Sequence, residues 1–377
     1  MKITAPSFDE KEIKLLRQCL ASGWVTQGPM TSEFENQVAT LHSARFALAT
    51  TSCSAALHLS TMALNLKSGD EVIIPAFTWV TSAHAAEYVG AKAVFVDVDP
   101  NTFNIDPSLI EQAITPQTKA IVVVHLFGLA ADMDPILKIA QKYNLAIIED
   151  AACAIGATYK GTPVGAIGDI GCFSFHPRKI ITTGEGGMLT TNHEDIAKRI
   201  QSLRNHGATG AIEDIALQGP WTMSSFDILG YNLRLSDIQA AVGIAQLDKL
   251  KGLMQERRHA ADTYFEFLKN VESLQLSNPK DLLNQGHTYQ SYVVKIRDGG
   301  VQKRNEIMQK LALHEIQTRP GTHSVPGLGY YKKKYNLLSE DFPIAKECEE
   351  LTITLPIFPK ITFGDQEKVC TIIKSCF

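Results

Sequence analysis

Four unbroken apolar runs, separated by segments of helical period, constrain this chain more than anything else in it: "EVIIP", "AKAVFVDVD", "AIVVVHLFG" and "LAIIEDAA". The middle of each (VII, AVFV, AIVVV and LAII) is continuously apolar and rich in Val, Ile and Ala, not an alternation of apolar and polar residues. A strand of that kind is buried on both faces, which is the condition of a parallel sheet covered by helices. "RFALATT" precedes them as a first strand, and Ser52 to Asn65 reads as a helix that Ser52 or Ser54 can cap. Thr78 or Ser82 leads a helix to Val89, Asp106 and Pro107 open a short one to Ile114, and Met133 to Tyr143 form another. "GCFSFHP" and "GMLTTN" extend the sheet, and His193 to Arg204 follows as a helix. Strand and helix alternating at this spacing mean an α/β domain with right-handed crossovers.

Residues 10 to 42 read as two helices joined by the polar loop "GWVTQGP". At 377 residues the chain exceeds what one core usually fills, so two domains are expected. A long helical segment begins behind Ser236 as N-cap. Past it, "QSYVVKI", "NEIMQKLALHE" and a closing helix have α+β character. The expected division is a large α/β domain over residues 1–245 and a smaller C-terminal α+β domain over 246–377.

The net charge of −4 offers no basic field for a phosphodiester backbone, so nucleic acid is not an expected partner. A charged small substrate stays open, because a pocket can be basic inside an acidic protein. "MKITAPSFDEKEIKLL" carries charges where a signal peptide needs an apolar run, and the longest apolar stretches are too short to cross a bilayer. A cytoplasmic protein without membrane contact is expected. Seven cysteines (Cys19, Cys53, Cys153, Cys172, Cys348, Cys370 and Cys376) are scattered and form no Cys-x-x-Cys pair, which suits buried free thiols and no metal site.

In open α/β sheets ligands bind beyond the carboxyl ends of the strands. Those ends offer Ser52 to Ser54, Thr78 and Trp79, Asp150, and Ser174 through Lys179. Asp150 follows an apolar run and needs a partner, which a salt bridge, a helix cap or a cationic ring nitrogen would each supply. Lys179 stands beside Gly184-Glu185-Gly186-Gly187, and clustered glycines let backbone approach closely. A lysine desolvated there is a neutral amine able to form a Schiff base. The plainer alternative is a solvated lysine next to a solvated Arg178. "GEGG" is neither a Walker loop nor the G-x-G-x-x-G of nucleotide-binding enzymes.

The runs "SCSAALHL", "GDEVIIPAFTWVTSAHAAEYVGAKAVFVDVDP", "IEDAACAIGATYKG", "GDIGCFSFHPRKIITTGEGGMLTTN", "GYNLRLSDIQAAVGIAQL" and "LPIFPKIT" resemble, in order, the DegT/StrS-type sugar aminotransferases, and the perosamine-synthase-like branch most. The resemblance covers nearly the whole chain. It implies the aspartate-aminotransferase type of fold (fold type I), pyridoxal 5'-phosphate (PLP) as cofactor, and a homodimer with active sites shared between subunits. By resemblance Lys179, in the "S-F-H-x-x-K" context, is the Schiff-base lysine and Asp150 faces the pyridine nitrogen. Trp79 stacks on the ring, with simple core packing as its alternative. Ser174 and the helix start at Cys53, Ser54 and Ala55 hold the phosphate, and Asn232 serves the phosphate of the neighbouring subunit. His176 reaches the substrate or packs as a core histidine, and Arg319, His323 and Tyr330 are candidate contacts to the sugar or diphosphate.

Two positions depart from the family pattern: Cys53 stands where many relatives have Gly, and Cys153 where many have Gln. The implied reaction moves an amino group from glutamate or glutamine to a nucleotide-linked 4-keto-6-deoxy sugar. A 3-keto sugar is the alternative substrate. PLP-dependent dehydration is the alternative reaction, although relatives of that kind replace the lysine by histidine and Lys179 is present. A ligand sensor on the same fold would carry a basic DNA-binding module, and an NAD enzyme would carry the glycine fingerprint. Neither feature is found in the sequence.

Overall fold

The apolar runs pair as their composition requires, into one sheet of seven strands. In chain order these are β1 (Phe46–Thr50), β2 (Glu71–Pro75), β3 (Lys92–Val96), β4 (Thr118–Val124), β5 (Ala146–Asp150), β6 (Ile170–Ser174) and β7 (Gly187–Thr191). The computed structural model describes residues 1–209, 221–278 and 286–377. Across the sheet the strands follow the order β1, β7, β6, β5, β4, β2, β3. β7 lies antiparallel to both of its neighbours, while the other pairs are parallel. Ile148, Val122 and Ile74 point to one core cluster, and Ile147, Ile121 and Ile73 to another. Burial on both faces is what the unbroken runs demand.

Helices α1 (Glu10–Ser22), α2 (Pro29–His42), α3 (Cys53–Ala63), α4 (Thr81–Tyr88), α5 (Met133–Tyr143) and α6 (Glu194–Leu203) flank the sheet. α3 is capped by Ser52, whose hydroxyl accepts from the Ala55 amide. At α4 neither Thr78 nor Ser82 acts as a cap: Val80 occupies the N-cap position without a side-chain bond. The hydroxyls of Thr78 and Ser82 turn inward instead, toward Asp150. The expected helix from Pro107 to Ile114 is two short 3-10 turns, Pro107–Leu109 and Glu111–Ala113.

The long helix α7 (Asp237–Leu268) opens with a capping box between Ser236 and Gln239. It joins two cores. Ala240, Ile244, Leu250 and Leu253 pack with the sheet, whereas Ala260, Ala261, Tyr264 and Leu268 pack into a second cluster. Residue 245 therefore falls inside a continuous helix, and the change of core lies between Leu253 and Ala260. The second cluster is built on an antiparallel sheet of β8 (Leu274–Gln275), β9 (Tyr292–Ile296) and β10 (Thr352–Leu355). Helices α8 (Gly300–Leu313), α9 (Gly329–Tyr335), α10 (Pro343–Leu351) and α11 (Phe363–Lys374) complete this part of the chain. The first residues also belong here, because Met1 packs on this cluster and the Ile357 amide donates to Ile3 O at 3.1 Å.

A short antiparallel pairing of His323 with Thr78, and of Ser324 with Phe77, ties the C-terminal part to the strand ends of the large sheet. No helix among the described residues is long and apolar enough to cross a membrane.

Candidate active site

The carboxyl ends of the parallel strands open into one cavity of about 820 Å³. Ser52 to Ser54 follow β1, Thr78 and Trp79 follow β2, Asp150 ends β5 and Ser174 ends β6, and all of them line it. Arg319 and His323 close it from the C-terminal part.

Asp150 is only 5% exposed. Its Oδ2 accepts from Ser82 Oγ at 2.6 Å and its Oδ1 from the Ala152 amide at 3.1 Å. Among the described residues no lysine, arginine or histidine pairs with this carboxylate. A buried charge without a cation asks for one from a ligand.

Lys179 lies in the loop that leaves β6, where its amide donates to His176 O at 2.8 Å. Its Nζ donates to Cys153 Sγ at 3.1 Å, and among the described residues no carboxylate pairs with it. Asp150, Lys179 and Cys153 all lie close enough to Cys53 for their charges to act on its thiol. Burial, reinforced by Asp150, pushes that thiol well above its ordinary range, so Cys53 is a neutral residue.

At the start of α3 the Ala55 amide donates to Ser52 Oγ at 3.1 Å. Ala55 is buried and does not line the cavity. The amides of Cys53 and Ser54 occupy first-turn positions that have no acceptor within the helix. Gly187 explains part of the glycine cluster: a Cβ there would sit 2.4 Å from the Ser52 carbonyl carbon. The close approach that this glycine permits is to the protein's own helix start.

His176 is half-buried, with Nε2 3.9 Å from Glu185 Oε1. Burial holds its imidazole below the ordinary histidine value, helped by the charges of Lys179 and Arg178 and opposed by Glu185. Arg319 also lines the cavity, and burial pulls its guanidinium below the ordinary value. Among the described residues it has no carboxylate partner. The His323 ring stands 5.6 Å from that of Trp79, which is 55% exposed, and His323 Nδ1 lies 3.3 Å from Glu349 Oε1.

Besides Ala55, two expected residues are not brought to this cavity. Asn232 is exposed and forms a bridge with Asn205. Tyr330 is on α9, where its hydroxyl donates to Glu87 Oε2 at 3.1 Å, and it does not reach the cavity wall. Gln290, Arg304 and Glu349 line the cavity and were not anticipated. They come from β9's approach, α8 and α10, and nothing in their local sequence marks them.

The sequence profile of the DegT/DnrJ/EryC1/StrS aminotransferase family matches residues 6–374. The chain belongs to that family. Such aminotransferases are PLP-dependent and act on sugars. GDP-perosamine synthase from Caulobacter vibrioides is 36% identical over 370 residues, covering 98% of this chain and 96% of the relative. Spr1654 from Streptococcus pneumoniae, solved in its PMP form, superposes with a TM-score of 0.93 at 30% identity, covering 100% of this chain and 98% of that one. It has also been solved in its PLP form. Helicobacter pylori PseC, an aminotransferase of pseudoaminic acid biosynthesis, superposes with a TM-score of 0.92 at 25% identity, covering 100% of this chain and 98% of that one.

The residues present fit the family's cofactor. A cation-free buried carboxylate suits a protonated ring nitrogen, and a carboxylate-free amine suits an aldehyde. A helix start with unused amides beside a buried serine hydroxyl suits a phosphate. No group of three or more His, Cys, Asp or Glu among the described residues is placed to hold a metal.

Proposed function

We propose that this aminotransferase moves an amino group from glutamate or glutamine to a nucleotide-linked 4-keto-6-deoxy sugar. The observation that carries the reading is the pairing of opposites across one cavity: among the described residues, Asp150 has no cation and Lys179 no carboxylate. Similarity to GDP-perosamine synthases of two organisms supports the 4-keto sugar.

Bound PLP supplies an electron sink for the pair left when a carbon beside nitrogen loses its proton. Lys179 would hold the cofactor and afterwards carry that proton, being the only lysine in the cavity wall among the described residues. Asp150 would keep a proton on the ring nitrogen. The Cys53 and Ser54 amides and the Ser174 hydroxyl would bind the phosphate, and the Trp79 ring would lie against the cofactor. His176, neutral near pH 7, and His323 stand where substrate hydroxyls would meet them, and Arg319 offers a charge to an anionic part of either substrate. Asn232, exposed outside its own cavity, would complete the phosphate site of a second copy in a homodimer.

The test is a panel of nucleotide-linked 4-keto and 3-keto sugars, each supplied with PLP and glutamate or glutamine, with products identified by mass and NMR. An amino sugar substituted at carbon 4 is expected. Product from 3-keto sugars alone would overturn the substrate assignment. Lys179→Ala should lose the cofactor's visible absorbance on dialysis while far-ultraviolet dichroism is unchanged. Retained absorbance would remove Lys179 from its role.

A further inference from the structure

Thr78 and Ser82 have a sequence position that suggests helix capping, and neither caps α4. Both are buried, at 1% and 0% exposure. Their oxygens form a line: Thr78 Oγ1 to Ser82 Oγ at 3.1 Å, then Ser82 Oγ to Asp150 Oδ2 at 2.6 Å. We propose that these two hydroxyls are a relay that positions the Asp150 carboxylate for the ring nitrogen, with Ser82 as the inner positioning residue. The proposal rests on the reading of Asp150 as that nitrogen's partner.

The direction of the line follows from its lengths. A serine hydroxyl has one proton, and the shorter contact to an acceptor-only carboxylate is the stronger, charge-assisted one. Ser82 therefore donates to Asp150, and its lone pair is left to accept from Thr78. Donation by Thr78 polarises the Ser82 hydroxyl and strengthens its bond to the carboxylate. Ser82 and the Ala152 amide together fix both carboxylate oxygens, so the plane of the group cannot turn freely about the Asp150 side chain.

The outer end of the relay is also held. Thr78 pairs through its backbone with His323, on the C-terminal side of the cavity. The Ser82 amide donates to Trp79 O at 3.1 Å, which fixes the inner hydroxyl on the first turn of α4. The three residues Thr78, Trp79 and Ser82 thus link the face that meets substrate to the carboxylate that meets the cofactor. A purely structural role would need only that the two hydroxyls satisfy each other. That role does not account for Ser82 reaching a carboxylate 68 positions away in sequence.

The experiment compares Ser82→Ala, Ser82→Thr, Thr78→Val and Asp150→Ala as PLP-loaded full-length enzymes. Steady-state kinetics, cofactor absorbance across pH and thermal unfolding are recorded for each. Loss of one charge-assisted donor should lower kcat of Ser82→Ala about 10- to 100-fold, with KM for both substrates within about twofold. The pH midpoint of the cofactor's absorbance should move in the same variant, and Ser82→Thr should restore both readouts. Thr78→Val, which leaves Ser82 its donor role, should lose about threefold in kcat. If Asp150→Ala is inactive while Ser82→Ala keeps kcat and absorbance midpoint and only melts lower, the relay is refuted and the role of Asp150 stands. If Asp150→Ala turns over normally, the role of Asp150 fails, and the relay with it. Should Ser82→Ala fail to fold, Thr78→Val decides: unchanged kcat and midpoint would refute the relay.

Discussion

Glu149 and Asp150 are adjacent, equally acidic and both buried, yet the two sides of β5 use them for opposite ends. On one side Glu149 Oε2 accepts from His125 Nε2 at 2.9 Å and the Gly165 amide at 2.7 Å. Its Oε1 accepts from the amides of Ile167 at 2.8 Å and Gly168 at 2.7 Å. Every lone pair that could face outward is taken by protein. On the other side Asp150 has one hydroxyl and one amide, and the remaining direction faces the cavity. A carboxylate saturated with internal donors is a piece of scaffold, and one left short of partners is poised for a ligand. The donor count, rather than burial, separates the two.

The largest effect should come from the under-partnered residue. Asp150→Ala should reduce turnover at least about a thousandfold, because charge stabilisation aimed at the reacting system is lost. Its urea unfolding midpoint should stay near the parent's, since only two neutral donors lose their acceptor. Glu149→Ala should behave in the reverse way. Removing it leaves a buried imidazole and three amides unpaired, which costs about 3–5 kcal/mol of stability in urea unfolding. If the two variants lost activity and stability in the same proportion, the contrast across β5 would be broken.

Acid sharpens the same contrast. Burial pushes the Glu149 carboxyl up, but donation by His125 and the Gly165 and Gly168 amides outweighs it and leaves the group below the ordinary glutamic acid value. The unfolded chain therefore binds that proton at a higher pH than the native one. The stabilisation is present above the ordinary glutamic acid range and is lost as pH falls toward the native value. His42 and His287, held neutral by burial with pKa values of about 4 and about 3, start an acid loss at higher pH, below the ordinary histidine value. Subtracting the stability–pH curve of Glu149→Gln from the parent's isolates the carboxylate part. A difference that does not vary with pH in the acid range would refute it.

The sheet was legible because a run such as "AIVVVHLFG" has one good solution, burial on both faces between helices. The strand-end rule then pointed to the Ser52–Ser54, Trp79, Asp150 and Lys179 region, and these residues do share a cavity. What the strand-end rule left open was whether Asp150 meets a salt-bridge partner, a helix start or a cationic ring nitrogen, because burial alone demands a partner without naming it. Family resemblance made that choice. The roles of the Thr78 and Ser82 hydroxyls stayed open for a similar reason: sequence shows a hydroxyl at a helix start, but not which acceptor is nearer. Tyr330 was drawn toward substrate by its loop, whereas the turn of α9 presents its hydroxyl to Glu87. Arg304 and Glu349 reach the cavity only through the docking of the C-terminal part, a distance in sequence that no local pattern reports.

The smallest effect belongs to Cys153, just past Asp150 on the cavity side. Its sulfur is the acceptor for Lys179 Nζ at 3.1 Å. Cysteine sulfur is a weak acceptor, so removing it should cost no more than about 1 kcal/mol of cofactor affinity. Cys153→Ala should therefore weaken PLP retention by at most about fivefold, and kcat should stay within the same factor. Cys153→Gln restores a strong amide acceptor and donor at the same place, and retention at or above the parent's level is expected. A loss of tenfold or more in kcat for Cys153→Ala, with PLP still bound, would mean that the thiol touches the reacting atoms. The cavity side of β5 would then hold a second group short of partners, and the division between scaffold and ligand-facing chemistry would extend from one residue to two.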